Sequence, residues 1–305
     1  MAMVDVVITR VRRRTRVFRV CCETAYDLSM LADVRTLVHG KQVAAVKMSL
    51  FVSLVSVALC VMMTGCTAPD TSPDNMATTD PVSSSEDRAA AAGWGSGTWL
   101  DQHESINRIG KTSNPELVFL GDSITQSWGG PGRTVGAPAA DVWDEFFGAW
   151  DAASFGISGD RTQHILWRID HGNFDDIDPE VVVLMIGTNN LVHDSAADIA
   201  SGIEAIVERL DRAAPNATIL LCGIVRGASS DDPLRQKAER VNGLVQPLDA
   251  LDRVRVIDLP SRFYDANGQA NPELVRGDFV HFTKGGYRAW AELLQPHLEE
   301  LLDGR

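Results

Sequence analysis

Ser123 is the first residue of this chain whose type and setting could support covalent chemistry. It closes Gly121-Asp122-Ser123, directly after the apolar run Leu117-Val118-Phe119-Leu120, which reads as a buried parallel strand. Ile124 to Trp128 can begin a helix. A serine at such a turn presents its hydroxyl at the carboxyl end of a sheet, where ligands bind in open α/β folds. It also lies near the positive end of a helix, which favours developing negative charge. Gly-Asp-Ser is equally an ordinary turn tripeptide, so a nucleophile here needs a base, an orienting acid and an oxyanion hole from elsewhere in the chain.

Seven histidines could supply the base. His39 lies in the N-terminal leader, His103 and His297 fall on terminal helical stretches, and His164, His171 and His193 lie in or near mid-chain turns and helices. His281 differs, because Asp278 precedes it by three residues in Gly277-Asp278-Phe279-Val280-His281, just before the last helical stretch. On a turn, that spacing lets the carboxylate reach the imidazole Nδ1 and frees Nε2 to face a serine. Oxyanion donors could come from two places. Asn189 and Asn190 end the apolar run Val181–Ile186, where a side-chain NH₂ could serve, although asparagine also simply forms turns. Gly156 and Gly159 follow the weaker strand Ala152–Phe155, and glycine permits close backbone approach.

The elements that must position these groups alternate strand with helix. Apolar, β-branched runs recur at 117–120, 181–186, 218–225 and 254–259, with the weaker one at 152–155. Between them, residues 195–213 put Ile199, Ile203, Ile206, Val207 and Leu210 on one helical face, with Ser195 as N-cap. Residues 233–249 and 285–302 are similar. Five strands alternating with helices predict a parallel sheet covered on both faces. Ser123, the glycine turn and the asparagines then fall at or beside the carboxyl ends of successive strands, and His281 follows the last.

With these blocks assembled, GDSIT, FGISGDRT, GTNN and DxxH, in this order, resemble the SGNH (GDSL) hydrolases. The likeness tightens toward the catalytic alpha subunits of platelet-activating-factor acetylhydrolase and their bacterial relatives, and runs from about Trp99 to Leu302. It implies a flavodoxin-like three-layer α/β/α sandwich with a five-stranded parallel sheet of order 2-1-3-4-5. It also implies Ser123 as nucleophile, His281 as base and then acid, and Asp278 as orienter. The oxyanion hole would be the backbone N–H groups of Ser123 and Gly159 with the Asn189 side chain; Ser158 stands where close relatives often have glycine. No metal or cofactor is implied. The activity expected is hydrolysis of short-chain, chiefly acetyl, carboxylic esters, on a small-molecule or carbohydrate substrate. The alternatives are a non-catalytic carbohydrate-binding surface lipoprotein and a lipase or thioesterase preferring longer acyl chains.

Charge divides the chain. Residues 1–47 carry nine Lys/Arg and four Asp/Glu, residues 48–65 carry none, and everything from Cys66 onward carries 19 basic and 37 acidic residues. The bulk value of −13 therefore hides a basic leader and an acidic body. Such a body argues against nucleic-acid binding, which needs a positive footprint. The uncharged run matches a signal-peptide core and is short for a membrane span of roughly 20 residues. Its end, Met63-Thr64-Gly65-Cys66, resembles the bacterial lipoprotein box. That implies lipidation at Cys66 and an extracytoplasmic protein held to the membrane. The leader is too long for an ordinary signal n-region, so a translation start nearer Met30 or Lys47 is expected. Residues 66–96, rich in Ser, Thr, Pro, Asp and Ala, read as a disordered tether of about 30 Å reach, and 97–305 as the hydrolase domain. Cys222 is the one cysteine of that domain and, in an apolar run, reads as a buried structural thiol. Asp175, Asp176, Asp178 and Glu180 could suggest a metal site but are more simply solvated. Neither G-x-x-x-x-G-K-[ST] nor G-x-S-x-G occurs. Tyr264, Phe279, Phe282 and the Gly/Pro/Ala-rich segment 129–140 are open between lining a cleft and packing.

Overall fold

Five short apolar runs become five strands: β1 (Leu117–Gly121), β2 (Ala152–Gly156), β3 (Val181–Met185), β4 (Thr218–Cys222) and β5 (Val254–Ile257). The structure, a computed structural model, describes residues 77–85 and 97–303. All four strand pairings are parallel, in the order β2-β1-β3-β4-β5. The helices are α1 (Trp99–Ser113), α2 (Ser123–Gln126), α3 (Ala140–Phe147), α4 (Thr162–Arg168), α5 (Ala196–Ala213), α6 (Pro233–Val245), α7 (Pro260–Phe263) and α8 (Lys284–Leu298).

Alternation along each strand sorts the core into two layers. Val118, Leu120, Val182 and Leu184 join the cluster that holds Ile203, Ile206 and Leu210 of α5 and Val241 of α6. Leu117, Phe119, Val183 and Met185 face the other way, against Trp143 and Phe147 of α3 and Trp290 of α8. Both faces of the sheet are therefore apolar, and both are covered. The second layer is rich in aromatics: Phe119 lies 4.8 Å from Phe147 and Trp128 lies 4.6 Å from Tyr287, centroid to centroid, in tilted or edge geometries. Ser195 caps α5 as expected, accepting the Asp198 N–H at 3.2 Å.

Placing β1 between β2 and β3 makes the chain reverse its direction of travel across the sheet. That creates a crevice beyond the carboxyl ends of β1 and β3, the position where open α/β sheets bind ligands. The long apolar runs stop short of the full stretches read from sequence, since β3, β4 and β5 end at Met185, Cys222 and Ile257. The residues beyond, Ile186 to Asn189 and Gly223 to Arg226, are loops at that rim.

Within the stretch 66–96, which reads from sequence as a disordered tether, the described residues 77–85 lie against the domain. Thr78 is buried, its hydroxyl donates to the Asp198 carbonyl at 2.6 Å, and its own carbonyl accepts from the Thr162 hydroxyl at 3.0 Å. The Val82 N–H donates to the Gln163 carbonyl at 3.2 Å. Small polar residues, poor at forming a core, here satisfy backbone groups between α4 and α5. The leader 1–47, the uncharged run 48–65 and Cys66 lie outside the described residues. No helix among the described residues is long and apolar enough to cross a membrane.

Candidate active site

At the end of β1 the Asp122 carboxylate accepts the Ile124 N–H at 3.0 Å and N-caps the short helix α2. This sharp turn leaves the Ser123 side chain half-buried at the rim. His281 Nε2 stands 3.0 Å from Ser123 Oγ, and His281 Nδ1 stands 2.8 Å from Asp278 Oδ2. The other carboxylate oxygen of Asp278 accepts the N–H groups of Val280 and His281, each at 3.0 Å. Between them Phe279 adopts φ +53°, a conformation uncommon for a bulky side chain. Its carbonyl accepts the Gly227 N–H at 3.1 Å, so the loop after β4 holds the turn in place.

Burial works to raise the Asp278 carboxyl, but the hydrogen bonds from the His281 ring and from the His281 and Val280 N–H groups outweigh it. The group sits below its ordinary range. An ionised carboxylate only accepts, which assigns the proton of His281 to Nδ1 and leaves Nε2 to accept from the Ser123 hydroxyl. Ser123, His281 and Asp278 thus form a continuous relay capable of removing a serine proton and later returning it to a leaving group.

Facing Ser123 are the turns after β2 and β3. Gly159 has φ +79°, which keeps a side chain out of its position. Gly156, at the end of β2, lies so close to the backbone of Gln126 that a Cβ could not be accommodated. The two glycines let the second turn approach α2. Asn189, in the single turn Thr188–Asn190, donates its side-chain NH₂ to the Asp160 carbonyl at 2.9 Å and to Asp122 Oδ2 at 3.3 Å. Asn190 turns inward instead. Its carbonyl oxygen accepts the Thr162 N–H at 3.0 Å, and its NH₂ donates to Asp194 at 2.8 Å. A cavity of about 230 Å³ opens beside these groups, with Gly159, Thr188, Asn189 and Val280 in its wall.

Several supporting groups escaped the sequence reading. Arg168 is fully buried on α4, donating to the Asp160 carboxylate, the Phe155 carbonyl and Asn173 Oδ1. Trp99 Nε1 donates to the other Asp160 oxygen at 2.6 Å. This network fixes the residue after Gly159. Its signal was available: Arg168 sits among Ile165, Leu166 and Ile169, a charge on an otherwise apolar stretch. Asp122 is nearly buried, and its carboxyl is pushed up to about 7, first by burial and further by the nearby Asp160, against the opposing bond from Ile124.

The remaining candidates are structural. Cys222 is buried and unpaired, its thiol pushed up to about 12 by burial. Phe282 is fully buried in the aromatic layer, and the Tyr264 hydroxyl brackets the Arg226 backbone, accepting its N–H at 3.1 Å and donating to its carbonyl at 2.8 Å. Phe279 is 40% exposed. In the segment 129–140, Arg133 folds over the end of β2, donating to the Ser154 and Gly156 carbonyls. Asp176 pairs with Lys111 and Asp178 accepts from Asn216, ahead of β3 and at the opposite edge of the sheet from Ser123.

The model of the GDSL-like Lipase/Acylhydrolase family matches residues 119–289. Platelet-activating factor acetylhydrolase IB subunit alpha2 of Rattus norvegicus is 34% identical over 211 residues, covering 68% of this chain and 87% of the relative. Among solved structures, a GDSL-like lipase from Bacteroides thetaiotaomicron superposes with a TM-score of 0.54 at 18% identity, covering 66% of this chain and 98% of that one. An acetylxylan esterase from Geobacillus stearothermophilus superposes with a TM-score of 0.50 at 18% identity, covering 62% and 95%. At those identities the two structures share the fold.

Proposed function

This chain belongs to the GDSL-like lipase/acylhydrolase family, and from that premise we propose that it is a serine esterase cleaving short-chain, chiefly acetyl, carboxylic esters through an acyl-enzyme. The observation that carries the reading is the relay Asp278–His281–Ser123, with contacts of 2.8 and 3.0 Å, opening beside Gly159 and Asn189. Ser123 Oγ attacks the ester carbonyl while His281 Nε2 takes its proton. The carbonyl oxygen becomes an oxyanion facing the N–H groups of Ser123 and Gly159 and the Asn189 amide, which gives up its longer contact to Asp122. His281 then protonates the departing alcohol, and water, activated by the same imidazole, releases the acid. Asp278 remains charged throughout and orients the ring.

The 34% identity to a platelet-activating factor acetylhydrolase subunit supports a small acyl group. The test is a p-nitrophenyl ester series from C2 to C10 with the wild type and Ser123→Ala. Turnover greatest at C2 and lost in Ser123→Ala supports the reading, preference for C8 or longer overturns the acetyl assignment, and absence of turnover favours a binding module.

We also propose that the chain is a lipoprotein anchored outside the cytoplasm through Cys66. The uncharged run 48–65, the Met-Thr-Gly-Cys ending and the acidic body that follows support this. Metabolic labelling with an alkynyl fatty acid in a bacterial host should mark the wild type and not Cys66→Ser. Equal labelling of both would refute the anchor.

A further inference from the structure

The cavity beside Gly159 and Asn189 is also lined by Arg161 and Arg226. Two guanidinium groups meeting in one small cavity would normally repel, and surface arginines of an acidic protein usually find carboxylates. Here they do not. Arg161, half-buried at the start of α4, makes no side-chain hydrogen bond or ion pair with another described residue. Arg226 uses one nitrogen, Nη1, for the Asp278 and Phe279 carbonyls at 3.4 and 3.3 Å, which leaves Nε and Nη2 without a hydrogen-bond partner among the described residues. The neighbouring carboxylates are committed elsewhere: Asp160 to Arg168, Asp278 to His281, and Asp232, whose charge reaches Arg226, to the Ala228 and Leu234 N–H groups.

Arg226 is also held ready. Its backbone is bracketed on both sides by the Tyr264 hydroxyl, and the Tyr264 ring is itself stacked beneath Arg235, whose Cζ lies 3.6 Å from the ring centroid. The Arg226 backbone, in the loop after β4, is therefore fixed by Tyr264 just beyond α7, while Arg161 is set by the turn after β2 that also presents Gly159. Two arginines lining one cavity, neither in an ion pair among the described residues, have the chemistry of a carboxylate or phosphate receptor.

Building on the esterase reading above, we infer that Arg161 and Arg226 form an anion subsite, so that the preferred substrates are esters whose alcohol portion carries a carboxylate or phosphate. The charge belongs to the alcohol because the acyl group of the proposed reaction is small. The ester carbonyl lies at the oxyanion groups in one wall of the cavity, and the anion lies against the arginines within the same cavity. In a body with a net negative charge, local cations of this kind also offset the general repulsion of an anionic substrate.

The test compares three acetyl esters: 4-acetoxybenzoate, 4-acetoxyphenyl phosphate and the neutral 4-acetoxybenzamide. The expected result is a kcat/KM for at least one anionic ester about tenfold or more above the neutral one, with the ratio falling about tenfold in Arg161→Gln and in Arg226→Gln, the size expected for one charge-assisted hydrogen bond. The carboxylate and phosphate arms distinguish which anion is preferred. Calorimetric binding of the unreactive amides 4-acetamidobenzoate, 4-acetamidophenyl phosphate and 4-acetamidobenzamide reads the subsite independently of turnover. Failure of the wild type to cleave any ester overturns the esterase reading, whereas an anion preference in amide binding that is lost in the variants still supports the subsite. Equal handling of charged and neutral compounds, or ratios unchanged in both variants, overturns the subsite.

Discussion

The Asn189 side-chain amide donates to the Asp160 carbonyl at 2.9 Å, so the turn after β3 is tied directly to the turn that carries Gly159. The two proposed oxyanion elements are thereby one unit. Asn189→Ala should lower kcat for p-nitrophenyl acetate by about a hundredfold or more, the usual cost of one oxyanion donor, with a smaller change in KM. A loss confined to KM would remove Asn189 from transition-state stabilisation.

Behind that unit stands Arg168, fully buried with Asp160. Arg168→Met should destabilise the protein by about 3–5 kcal/mol, because it leaves a buried carboxylate without its cation. Urea unfolding of the two proteins measures the difference, and a change below about 1 kcal/mol would show that Asp160 had found another partner or taken up a proton.

Asp122 predicts a pH dependence of stability. Its folded value of about 7 lies above its ordinary 3.8, so between these values the folded chain holds a proton that the unfolded chain has released. Stability from this group is present at low pH and is lost as pH rises toward 7, the reverse of an ion-paired carboxylate. Asp122→Asn, which cannot titrate, should show a shallower decline in stability from pH 4 to 7. Superimposable profiles would show that Asp122 ionises in the folded state much as it does in the unfolded chain.

Cys222 should be inert in the folded protein. With its thiol buried and pushed up to about 12, it should react with a thiol reagent only on unfolding, at a rate that follows denaturant concentration. Rapid labelling without denaturant would contradict the burial.

Much of this molecule was legible in one dimension because its information is local. The β-branched runs define the strands, and the Ser195-capped helix follows from apolar spacing along adjacent residues. Asp278 and His281 lie three residues apart on one turn, so their contact needs no distant partner. The family blocks added the sheet order and the choice of Gly159 and Asn189.

Tertiary structure decided what depends on residues far apart in the chain meeting at the sheet rim. Asn189 and Asn190 are equivalent as turn formers, and only the packing of α4 turns Asn190 inward to the Thr162 N–H while leaving Asn189 at the crevice. Residues 77–85 carry no apolar pattern, yet the Thr162 hydroxyl and the Gln163 and Asp198 carbonyls of α4 and α5 hold them by hydrogen bonds. Arg161 and Arg226 look like unremarkable surface charges until strand order brings the loops after β2 and β4 to one cavity. Periodicity is written between neighbours, whereas convergence is fixed by strand order across the sheet, so the sequence alone specified the elements and the candidate serine, and the fold determined what surrounds it.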